Sequence, residues 1–209
     1  MSRADRFFIF FCTSPALKAM SCVPLLGAAW LTGSWFGLLL LLLIPAADLR
    51  GATLIRDLYH PSLKEDLHEH LAAACQAACA IHPGEHHYVF PETSGGIDHW
   101  RLRHLPDTLK LTVLAPKRDY AVMASREGRI FPPLQYLPPE FETSDLGCVE
   151  IYYRDIDMVE LENGTMRLHT LGGREHEFPA KDGPASEAAL YLRQRLRDYK
   201  SRAGDNFSA

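Results

Sequence analysis

Two histidines and two cysteines between His68 and His82 are the residues best spaced to do chemistry together. On a helix turning 100° per residue, His68, Cys75, Cys79 and His82 fall within about 60° of one another. Thiolate sulfur and imidazole nitrogen are the ligands zinc prefers, and neighbours three or four apart can share an ion. One helix cannot wrap four ligands tetrahedrally around a metal, however, and His68 stands about two turns from Cys75. Buried cysteines commonly behave as small apolar groups. Metal binding here is thus one expectation beside a plainer one, a packed helix face. No other cofactor is expected.

A second set of candidates is cationic. Lys117 and Arg118 follow Pro116 in a predicted loop, and Arg101 and Arg103 share one face of a predicted strand. Such pairs suit an anionic ligand or lipid headgroup, although solvated surface charges look the same in sequence. Catalytic signatures are missing: the chain has no Gly-x-Ser-x-Gly elbow, phosphate loop or His-Glu-x-x-His motif. In His68-Glu69-His70 and Glu175-His176-Glu177 the imidazole and carboxylates are sequence neighbours, which do not face each other on a helix or strand. Cys148 would serve as a nucleophile only beside a base. The expectation is a non-enzymatic protein. A net charge of -4 gives no basic excess for nucleic acid. Five cysteines at irregular spacing argue against a disulfide framework and for a reducing compartment.

Charge is distributed unevenly along the chain. From Ala19 to Ala47, 29 residues, there is no Asp, Glu, Lys, Arg or His, and Leu38 to Ile44 is an unbroken apolar run. One helix of that length reaches roughly 44 Å, beyond the ~30 Å hydrocarbon core, yet two full spans would need ~20 residues each. A tilted single span, a helical hairpin and a secretory signal peptide compete, with a buried core helix as the bland alternative. The long leucine run disfavours a signal peptide, and the lack of a polar face disfavours a core helix. Gly27, Thr32, Gly33 and Ser34 supply a turn midway. Cations flank both ends: Arg3, Arg6 and Lys18 before, Arg50, Arg56 and Lys64 after. That symmetry favours a hairpin with both ends in the cytoplasm.

Downstream, Leu63, Leu67, Leu71, Ala74, Ala78 and Ile81 predict a helix from Pro61 to Ile81, stopped by His82-Pro83-Gly84. The period then changes to two. Residues 100–103, 109–113, 149–154 and 166–170 alternate as strands with one face on a core. Asn163-Gly164 is a strong hairpin signal, Gly172-Gly173 marks the next reversal and Glu127-Gly128 suggests another. Four prolines between Phe131 and Asp145 predict a loop or edge crossing. Six or seven strands result, followed by an amphipathic helix from Pro184 to about Arg202 whose Arg193, Arg195, Arg197 and Lys200 point to water or lipid. The fold class is α+β: residues 1–50 an anchor, 51–84 a connecting helix, 85–209 an antiparallel β-barrel or sheet with a C-terminal helix.

The stretch from Val149 to Arg202, with Ile151-Tyr152-Tyr153-Arg154-Asp155-Ile156, the Asn163-Gly164 hairpin, the strand ending at Phe178 and the last helix, resembles a pleckstrin-homology-like domain. With the apolar segment in front, the chain is similar to membrane-anchored bacterial proteins carrying such domains. That resemblance implies an interaction module at the cytoplasmic face of the inner membrane, recruiting a partner protein or contacting anionic lipid. Two other expectations stand beside it: an accessory or immunity-type subunit of a larger membrane complex, packing through Gly27, Ala28, Ala29, Gly33 and Gly37, and a metal-binding protein.

Overall fold

The computed structural model describes residues 2–33, 39, 41–82, 84–97, 101–131, 141–179 and 184–205. Helix α1 spans Arg3–Thr13 and opens on a reciprocal cap: Asp5 N donates to Ser2 Oγ (3.1 Å) and Ser2 N donates to Asp5 Oδ2 (3.2 Å). Ser14 ends α1 and at once caps α2, Pro15–Thr32, accepting from Leu17 N at 3.3 Å with proline in the first turn. Gly33 closes α2 in the left-handed conformation. Helix α3, Leu43–Leu54, runs through a π-helical turn at Ile55–Tyr59 into α4, His60–Ala78.

Among the described residues seven strands follow: β1 Tyr88–Ser94, β2 Thr108–Pro116, β3 Tyr120–Ile130, β4 Phe141–Tyr152, β5 Ile156–Glu162, β6 Thr165–Thr170 and β7 Glu175–Pro179. Helix α5, Pro184–Asp205, ends the described chain. The fold is mixed α+β with two antiparallel sheets, one in the order β1-β2-β3-β4 and one in the order β5-β6-β7. Among the described residues no barrel closes.

Two compact units divide the chain. The first takes Met1–Leu67, Ser94–Thr108 and Arg129–Glu142. Its core packs Ile9 and Cys12 of α1 against Ala52, Leu54 and Ile55, with Ile97 and Leu102. Here α1 and α3 nearly touch: a Cβ on Gly51 would sit 2.2 Å from the Phe8 carbonyl oxygen and 2.5 Å from Cys12 Cβ, so only glycine fits. The second unit takes His68–Thr93, Leu109–Gly128 and Thr143–Ala209. Phe90, Tyr153, Met166, Leu168 and Phe178 there meet the α5 stripe Ala185, Ala188, Ala189, Leu192 and Leu196. The β5–β6 register pairs Glu162 with Thr165 around Asn163-Gly164, whose φ angles of 49° and 76° are those of a type I′ turn.

Three sequence expectations are corrected. Residues 101–104 form turns, so Arg101 and Arg103 do not share a strand face; Trp100 lies outside the described residues. Glu127-Gly128 is interior to β3, with Gly128 buried. Of the proline-rich stretch, expected as a loop or edge crossing, 132–140 lies outside the described residues, and Phe141 to Asp145 is not a loop but the start of β4, an edge strand of its sheet.

Candidate functional site

The charges that bound the uncharged stretch meet each other. Lys18 Nζ lies 2.5 Å from Asp48 Oδ1, and Arg101 Nη1 lies 2.9 Å from Asp48 Oδ2. Asp48 is 7% exposed, so its carboxylate has left water and depends on these two cations. Because Lys18 is on α2 and Asp48 on α3, the ends of the apolar stretch are brought together. Arg101, expected on a strand as a ligand contact, serves this ion triad. Arg103 is exposed in the neighbouring turn.

Beyond the triad, no residue of α2 whose burial is described is fully buried, and only Leu17, Ser21, Cys22 and Leu25 among them are half-buried. Met20, Val23, Leu26, Trp30 and Leu31 are exposed, as are Leu39, Leu42 and Leu43. Trp30 at 85% and Leu31 at 77% stand almost bare. Scattered apolar residues are normal on a protein surface, whereas a concentrated set marks an interaction face. Among the described residues no single helix is long and apolar enough to cross a membrane. By length and composition alone, α1 together with Pro15–Ala28 of α2 passes as a pair bent by 91°.

In the second unit the two loop cations part company. Lys117 is a structural residue: its Nζ lies 2.5 Å from Glu85 Oε2 and donates to the Ala80 carbonyl at 3.2 Å, which ties the loop after α4 to the β2–β3 turn. The Lys117 ammonium holds the Glu85 carboxyl below the usual range. Arg118 stays exposed and lines an open groove with Arg195, Asp198, Ser201 and Arg202 of α5. Three guanidinium groups and one carboxylate leave that groove cationic. Arg195 is steadied there by two bonds to Tyr191 Oη, at 2.7 and 3.0 Å. The periodicity of α5 placed its arginines on the helix exterior, but their convergence on Arg118 is a tertiary fact with no local signal. Arg193 is used differently, donating to the Val159 carbonyl at 3.0 Å.

The four residues of the proposed metal face are not equivalent. Leu63, Leu67, Leu71, Cys75 and Cys79 are the buried stripe of the helical segment, so the two cysteines belong to the apolar face and do not lie beside it. Cys75 Sγ donates to the Leu111 carbonyl at 3.7 Å. Burial pushes the Cys75 thiol up and the Cys79 thiol up to about 12, which disfavours the thiolates a metal needs. His68 is half-buried and His82 is exposed. Among the described residues no three His, Cys, Asp or Glu side chains are arranged to hold a metal ion. A comparison with protein-family models, curated proteins and solved structures gives no match.

Proposed function

We propose that the chain is a membrane-tethered binding protein. Its N-terminal apolar hairpin dips into the bilayer from the cytoplasmic side of a bacterial inner membrane without crossing it, and its β-rich remainder recruits a partner protein or contacts anionic lipid. The observation that carries this reading is the Lys18–Asp48 ion pair, which returns the 29-residue uncharged stretch to its starting level. From Lys18 to Thr32 the helix rises about 21 Å, less than the ~30 Å hydrocarbon core, so the arm enters and does not cross. Helix α2, the described arm, satisfies its own backbone groups, as immersion in lipid demands. Burying the exposed Trp30, Leu31 and leucine side chains in lipid contributes roughly 10 kcal/mol in aggregate. Seven meandering strands followed by one C-terminal helix support the pleckstrin-homology-like resemblance, and the Arg118–Arg195–Arg202 groove suits a phosphate-bearing or carboxylate ligand.

Vesicle flotation tests the anchor. The full chain is expected to float with lipid after high-salt and alkaline washes, while Trp30→Asp combined with Leu31→Asp releases it to the soluble fraction with its circular dichroism spectrum unchanged. Flotation of that double variant to the same extent as the parent would refute the reading.

A further inference from the structure

Cys148 sits on β4 with its side chain exposed, and its Sγ is 3.7 Å from the carbonyl oxygen of Ala78, the residue directly before Cys79. Cys79 is 2% exposed and closes the buried stripe that Leu71 and Cys75 continue. An accessible thiol therefore lies over the last turn of a helix at the point where a second, enclosed thiol is seated. All five cysteines are free, so neither sulfur is tied up in a disulfide; the Cys79 sulfur meets the Ala124 backbone N–H. Cys75 is the competing neighbour, one turn earlier, with its own sulfur turned to the Leu111 carbonyl. The contact separates the two: Cys148 Sγ meets the carbonyl of Ala78, the residue next to Cys79 and three beyond Cys75.

We propose that Cys79 and Cys148 form a redox-reversible dithiol site whose reactant is a small-molecule disulfide of the glutathione class. The Cys148 thiolate attacks one sulfur of the reactant disulfide, whose S–S bond breaks and releases one thiolate that takes up a proton. The resulting mixed disulfide holds the second half of the reactant on Cys148. Cys79 then loses its proton and attacks the Cys148 sulfur; the Cys79–Cys148 bond forms as the second small thiolate leaves and is protonated. Two protein thiols are oxidised by two electrons, and one small disulfide becomes two small thiols. Closure fastens the exposed strand β4 to the end of α4, and excess reduced thiol reopens it. Burial pushes the Cys79 thiol up while the Ala124 backbone N–H and Lys117 act the other way, so the closing step is faster at higher pH.

The test uses the full chain in mild detergent, treated with oxidised glutathione at several pH values, quenched with acid, and mapped by non-reducing peptide mass spectrometry. The expected product has lost two hydrogens and joins the Cys79 and Cys148 peptides; it forms faster at higher pH and reverts with reduced glutathione. Cys75→Ala is expected to close as the parent does, and Cys79→Ala to stop at a glutathionyl adduct on Cys148. A parent protein that stops at that adduct, joins Cys148 to Cys75, or remains unmodified would overturn the proposal. The mapping of the parent decides the matter even if a variant fails to fold.

Discussion

Asp48 shows how a single residue changes meaning between sequence and structure. Along the chain it merely ends the uncharged stretch; in the fold it is a buried carboxylate shared by Lys18 and Arg101. Asp48→Asn keeps the shape and leaves two cations without their counter-charge. Their side chains are 24% and 25% exposed, so water partly compensates. The expected loss is therefore about 1–3 kcal/mol, below that for a fully enclosed pair, read from denaturant unfolding in detergent. Glu85 supplies the pH counterpart. Its carboxyl is held below the usual glutamate range by the hydrogen bond from Lys117, so the folded state binds that proton less readily than the unfolded chain. The contribution is complete above the unfolded value and is lost as pH falls through the lowered folded one. Melting temperatures of the parent and Glu85→Gln should differ near neutral pH and converge under acid. A difference that persists at the acid end would contradict this role.

At the scale of elements, local chemistry was legible and long-range pairing was not. The α4 and α5 helices and the Asn163-Gly164 hairpin follow from periodicity and turn chemistry, which act within a few residues. The alternation at residues 100–103 misled because Leu102 is buried through a turn in the first unit's core, and a buried turn residue mimics one step of a strand. Glu127-Gly128 misled because β3 continues to Ile130, whose N–H donates to the Asp107 carbonyl at 2.6 Å. On α4 the choice between Ala74/Ala78 and Cys75/Cys79 as the buried line turned on which step followed Leu71, and the apolar thiols took it. Lys117 and Arg118, adjacent in sequence, part because only the first has Glu85 in reach. No spacing rule reveals the close approach of α1 and α3 at Gly51. Gly51→Ala forces a methyl group against the Phe8 carbonyl and Cys12. The expected cost is about 1–3 kcal/mol of overpacking, seen as a lowered melting temperature that Gly27→Ala, with open space around it, does not share.

For the whole molecule, the central claim is that the uncharged stretch goes into the membrane and comes back. A single span and a re-entrant hairpin have the same composition; they differ in whether the two ends of the stretch are on one side. The Lys18–Asp48 contact makes them neighbours. A hairpin of this depth keeps the β-rich remainder on the side from which the chain starts, where it can meet cytoplasmic partners or anionic headgroups. Reporters fused before residue 2 and after residue 209, each active on one side of the membrane only, test this most directly. The account predicts that both report the cytoplasm; opposite sides for the two ends would establish a crossing and contradict it.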